Sequence, residues 1–143
     1  MLSARFLFLL LISSLIGLSS CKTNQKTQAS TPEKGLFKVT ILYPNGEGKT
    51  FDLEYYQDKH MPMVAGFIGK NLKFYEIDEG IAGRTSGEQV PYLAIGNFYV
   101  YDLPEYNAAI RAHLDTITGD FKNYTNIQPI IQISKIMQLG YNK

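Results

Sequence analysis

The stretch Tyr92-Leu93-Ala94-Ile95-Gly96-Asn97-Phe98-Tyr99-Val100-Tyr101 constrains the fold more than any other part of the chain. It is rich in aromatic and branched apolar residues and contains no proline, which predicts a strand. One parity carries Tyr92, Ala94, Gly96, Phe98 and Val100, and the other Leu93, Ile95, Asn97, Tyr99 and Tyr101. Both parities are largely apolar. An antiparallel strand with one face in water alternates more cleanly than this, so each face needs a cover.

The flanking segments supply one cover only. Leu36 to Tyr43 reads as a strand ended by Pro44-Asn45-Gly46-Glu47-Gly48. Asp52 to about Gly69 reads as a helix capped by Asp52 or Thr50, with Leu53, Tyr56, Val64, Phe67 and Ile68 on one face. Pro62 lacks an N–H and crowds the carbonyl four residues back, which predicts a kink or two short helices meeting near His60. Leu72 to Asp78 reads as a strand, Gly80 to Gly87 as a loop, Glu105 to Ile117 as a helix behind Pro104, and Ile130 to Met137 as the last strand. The order β-α-β-β-α-β predicts an α+β, ferredoxin-like domain: an antiparallel sheet with two helices on one face. The opposite face then needs a ligand or a second copy, and a two-fold homodimer is the commonest solution.

The chain has 143 residues, but its apolar content is partly concentrated in Phe6 to Leu18, behind Arg5 and ahead of Leu18-Ser19-Ser20-Cys21. That run is shorter than the ~20 residues of a membrane span. It has the layout of a signal peptide over residues 1–20, with Cys21, the one cysteine, where lipidation requires a thiol. Residues 21–35 are polar enough to form a lipidated flexible tether, and 36–140 form the domain. These features predict a lipoprotein of the cell envelope that meets the membrane through its lipid anchor. The formal net charge of +1 and the lack of a basic stripe disfavour nucleic acid as a partner.

Gly46-Glu47-Gly48-Lys49-Thr50 has the look of a phosphate loop, but Tyr43 stands where such a loop needs its first glycine, so the segment reads as a turn. Tyr55-Tyr56-Gln57-Asp58-Lys59-His60-Met61-Pro62 is the leading candidate site. Its histidine can exchange a proton near neutral pH. Tyr56 lies four residues before it on the same helix face, with Asp52 and Tyr55 one or two turns earlier. The carbonyl freed by Pro62 could orient the imidazole or meet a ligand, while the plainer reading has His60 fixing the kink. Asn97, Tyr99 and Tyr124 are candidate ligand contacts, although the run Asn123 to Pro129 also suits turn chemistry. His113 reads as a helix-surface or core-edge residue, and two distant histidines give no zinc-ligand spacing. Haem or iron stays open on one histidine.

Val39 to Tyr43, Phe51 to Met63 with its Tyr-Tyr-x-x-x-His-x-Pro core, Ala94-Ile95-Gly96, and Tyr124 to Ile133 resemble the EthD family from about Phe37 to Met137. The resemblance implies a dimeric α+β barrel of two ferredoxin-like sheets. It makes His60 the characteristic histidine, with Tyr55, Tyr56 and Asp52 as its motif neighbours. Members are commonly labelled reductases or oxidoreductases, and related barrels include monooxygenases, cyclases, decarboxylases and isomerases, among which fold alone does not choose. The implied function is a small-molecule oxidoreductase, reductase- or monooxygenase-like, or a lyase, acting on an apolar oxygenated ligand. His60 would move a proton, and Tyr55 or Tyr56 would hold the substrate oxygen. The alternative is a non-catalytic envelope lipoprotein that binds small hydrophobic ligands. No nicotinamide fingerprint is present, so the cofactor stays unknown. The lipid signal and tether depart from the family's usual layout.

Overall fold

The computed structural model describes residues 31–142. The expected signal peptide, Cys21 and most of the expected tether lie outside the described residues. Four strands, β1 (Phe37–Pro44), β2 (Leu72–Glu79), β3 (Tyr92–Val100) and β4 (Ile130–Lys135), form one antiparallel sheet in the order β2-β3-β1-β4. The first connection carries α1 (Leu53–Tyr55) and α2 (Met61–Ile68), and the second carries α3 (Leu103–Ala112) and α4 (Leu114–Asp120). This is the ferredoxin-like arrangement expected from the order of elements.

Residue parity decides which sheet face the helices cover. On β1, Val39, Ile41 and Tyr43 are buried, and they pair with Phe98, Gly96 and Ala94 of β3. These residues form one core with Tyr56, Met61, Val64 and Ile68 of the first helical layer and Tyr106 and Ile117 of the second. Asp52 caps α1 by accepting from the Tyr55 N–H at 3.0 Å, and Asp102 caps α3 by accepting from the Glu105 N–H at 2.7 Å. Asn71 is buried and ties the end of the first helical layer to the start of α3. It donates to the Asp102 carbonyl and accepts from the Asp102 N–H, both at 2.8 Å.

Three local expectations change. The expected break near His60 takes the form of a change in helix type, with α1 and α2 on either side of it. Tyr56–His60 form a π-turn, with the Met61 N–H reaching the Tyr56 carbonyl, and helical dihedrals run through to α2. Widening the helix moves the carbonyl that would clash with the proline ring. The second helix breaks at His113, whose ring stacks on Phe67 with centroids 3.9 Å apart, and resumes as α4, which runs past the expected end at Ile117 to Asp120. The ordered domain also starts before Leu36: Glu33 pairs with Lys73 at 2.7 Å, and the Gly35 N–H donates to Ile136 at 2.9 Å.

The sheet face away from the helices is less oily than the sequence of β3 suggests. Thr40 donates to Asn97 at 2.8 Å, Asn97 donates to Asp78 at 3.3 Å, and the Tyr99 hydroxyl donates to Glu76 at 2.7 Å while its ring stacks on Phe74. An apolar strip remains where Leu42 lies between Ile95 of β3 and Ile130 of β4. β3 carries apolar residues on both parities, but its neighbours on this side are partly polar, and a single-strand reading cannot see neighbours.

Candidate active site

The π-turn presents Tyr56 and His60 to the same side, with their rings stacked 5.5 Å apart and 16° from parallel. Tyr56 can lie flat against the sheet because β3 has a glycine beneath it: a Cβ on Gly96 would overlap the Tyr56 hydroxyl. His60 is 4 % exposed. Its Nδ1 is 2.8 Å from Oδ2 of Asp120, at the end of α4. Oδ1 of the same carboxylate accepts from the Tyr55 hydroxyl and from Asn123 Nδ2, each at 2.8 Å. On the other side of the ring, Nε2 is 3.3 Å from the Tyr124 hydroxyl, which is 2.9 Å from the Tyr43 hydroxyl.

Burial dominates the electrostatics of the imidazole. It pushes the His60 pKa below the usual 6.5, and the opposing pull of Asp120 does not restore it. Burial also works to raise Asp120, but hydrogen bonds from His60, Asn123 and Tyr55 outweigh it, and the carboxyl titrates below its ordinary value. Asp120 is therefore ionised and His60 neutral at pH 7. An ionised carboxylate only accepts, so the imidazole proton sits on Nδ1 and Nε2 is a free base. Tyr43, Tyr56 and Tyr124 are each raised, mainly by burial, and stay protonated.

His60, Tyr43 and Tyr56 line one end of a cavity of about 250 Å³ between the sheet and the helices. Ile41, Val64, Phe98, Ile110 and Ile117 line its apolar body, and Leu114, Thr118, Gln128 and Ile131 stand at its exposed side. The arrangement can withdraw a proton from a small molecule held in apolar surroundings, with Asp120 stabilising the imidazolium that forms.

The structure brings some of the expected residues together and separates others. His60, Tyr55, Tyr56 and Tyr124 meet, with Tyr55 bonded to Asp120 and not aimed at the cavity end. Asp52 is a helix cap and is not among the hydrogen-bond partners of His60. Asn97 and Tyr99 lie on the opposite face of the sheet, bonded to Asp78 and Glu76, so they do not share a site with Tyr124. The carboxylate of Asp120, not the carbonyl freed by Pro62, orients the imidazole. Sequence reasoning missed Asp120 and Tyr43. Asp120 hides in a polar stretch sixty residues from its partner, and Tyr43 reads as the end of a strand.

Comparison with solved structures finds similar proteins. An EthD-like protein from Ralstonia eutropha JMP134 is 38 % identical, over 73 % of this chain and 94 % of its own, with a TM-score of 0.69. An ethyl tert-butyl ether D (EthD) family protein from Bacillus halodurans C-125 shares the fold at 20 % identity and a TM-score of 0.54, over 71 % of this chain and 99 % of its own. No family model and no curated protein matches the chain.

Proposed function

This chain belongs to the EthD family, and from that premise we propose that its domain holds an apolar, oxygen-bearing small molecule in the 250 Å³ cavity and moves a proton to or from it with His60. One observation carries this reading: a neutral imidazole, oriented by the Asp120 carboxylate at 2.8 Å, forms the polar end of an otherwise apolar cavity. A base poised in that way suits the proton abstraction with which oxidoreductase and lyase reactions on such ligands begin. In an oxidation the electrons must pass to an acceptor, which the ligand-site residues alone do not supply.

Replacing His60 by alanine tests the enzyme against the binder. With the ligand identified by extraction and mass spectrometry of the purified protein, His60→Ala is expected to keep binding it and to lose about 10²- to 10⁴-fold in turnover, the usual share of a positioned acid or base. Turnover unchanged by the substitution would leave a binding protein.

The domain also sits best as a membrane-anchored homodimer. The strip around Leu42, Ile95 and Ile130 is an apolar seam on an otherwise helix-free sheet face, and Ile130 is 53 % exposed in the single copy. Native mass spectrometry of the chain extracted from membranes is expected to show twice the mass of an acylated chain cut before Cys21. A single, unacylated mass would contradict both features.

A further inference from the structure

The protons at the polar end of the cavity can be placed one by one. Nδ1 of His60 donates to Asp120, so Nε2 accepts. Tyr124 donates to Nε2, and Tyr43 is then left to donate to Tyr124. The hydroxyl protons of Tyr43 and Tyr124 are thereby committed within the protein, and the single lone pair of Nε2 is engaged by Tyr124. That contact, at 3.3 Å, is long enough for a shorter ligand bond to replace it: a ligand hydroxyl donates to Nε2 and accepts the proton that Tyr124 releases, which a pure acceptor cannot do.

Two further features narrow the ligand. No lysine or arginine lines the cavity, and the Asp120 carboxylate stands directly behind His60, so an anion entering would lose its hydration and find no countercharge. Tyr106 of α3 lines the same cavity, is 8 % exposed, and makes no hydrogen bond to any described residue; burial is the sole cause raising its pKa to about 12. It is a spare hydroxyl within an apolar wall. As for size, roughly 150 Å³ of apolar cavity holds a benzene ring, so 250 Å³ takes one ring with small substituents.

Resting on the reading of this cavity as the ligand site, we propose that it is built for an uncharged single-ring hydroxy compound. The ligand donates its hydroxyl to the His60 end and accepts, through a second oxygen, from Tyr106. The two anchors divide the work: the first selects a donor, and the second rewards an additional acceptor.

A size-matched panel tests this on the full-length protein at pH 7, by calorimetric titration and by imidazole NMR of His60. The probes are 4-methoxyphenol, p-cresol, 4-methylanisole and p-toluate. The expected order of affinity is 4-methoxyphenol, then p-cresol, with 4-methylanisole at least about tenfold weaker than p-cresol because it has no proton to donate to Nε2. p-Toluate is expected not to bind. Tyr106→Phe should remove the advantage of 4-methoxyphenol over p-cresol and leave p-cresol unchanged. Asp120→Asn keeps an oxygen for Tyr55 and Asn123 but turns an amide N–H toward Nδ1, moving the imidazole proton to Nε2. The preference for p-cresol over 4-methylanisole should then vanish or invert, which a merely structural Asp120 would not produce. Equal binding of p-cresol and 4-methylanisole to the unaltered protein, with His60 resonances moving, overturns the donor selection and leaves the cavity as ligand site. An unchanged 4-methoxyphenol to p-cresol ratio in Tyr106→Phe overturns the second anchor. If no probe shifts the His60 resonances at saturation, the cavity reading falls, and the ligand class falls with it.

Discussion

Gly96→Ala is expected to destabilise the domain by about 2 kcal/mol, within the usual 1–3 kcal/mol for an overfilled interior. The added methyl would overlap the Tyr56 hydroxyl and stand 3.4 Å from Cε of Met61. Tyr56 and Met61 are each 1 % exposed, and the Tyr56 ring is wedged against Tyr43, Phe51 and His60, so relief can come only by shifting into the cavity and disturbing that stack. At roughly 4–8 °C per kcal/mol for a domain of this size, the thermal midpoint followed by circular dichroism should fall by about 8–16 °C. Adding Tyr56→Phe removes the overlapping oxygen and should recover part of the loss, a coupling readable from the double-mutant cycle. A midpoint that Gly96→Ala leaves unmoved would mean that Tyr56 is not pinned against β3, and the stacked geometry of His60 would lose its support.

Met61→Ala should cost more, about 2–5 kcal/mol, because it removes a long side chain from a fully buried position between helix and sheet. The urea midpoint is expected to fall with an unchanged slope, since the surface exposed on unfolding hardly differs. Met61 also lines the cavity, so the same change enlarges the hollow beside His60. A two-ring ligand that the natural protein rejects should then bind and restore part of the lost stability by mass action. A loss below 1 kcal/mol would show that the wall collapses into the space, and the larger ligand would then gain nothing.

The fold was legible because its signals are local. β3 announces itself through composition, Asp52 and Pro104 mark helix starts, and the element order leaves one sheet arrangement. His60 was legible through its motif, and Tyr55, Tyr56 and Tyr124 do gather near it. What escaped depends on partners distant along the chain. Asp120 has no motif of its own, and its value lies wholly in meeting Nδ1 of a residue in the other half of the domain. Asn97 and Tyr99 are candidate ligand contacts in the sequence alone. The register instead sets Asn97 opposite Thr40 and Glu76, and bulges Tyr99 against Phe74. Asp52 was drawn in by sequence proximity, and the backbone amide of Tyr55 already occupies it. The π-turn could not be foreseen, since proline in a helix is answered in several ways and tertiary packing selects among them.

That π-turn amounts to one residue more than a regular helix would hold between Tyr56 and Met61. Each residue of an α-helix advances the chain by about 100° around its axis. Trimming the surplus residue would let the ladder close normally and swing everything upstream through about a quarter of a revolution relative to α2. Tyr55 would leave Asp120 behind, and the capped entrance at Asp52 would no longer meet the Tyr124 backbone that now accepts its N–H at 2.7 Å. The angular phase of the whole first half of the site is thus stored in a single extra peptide unit.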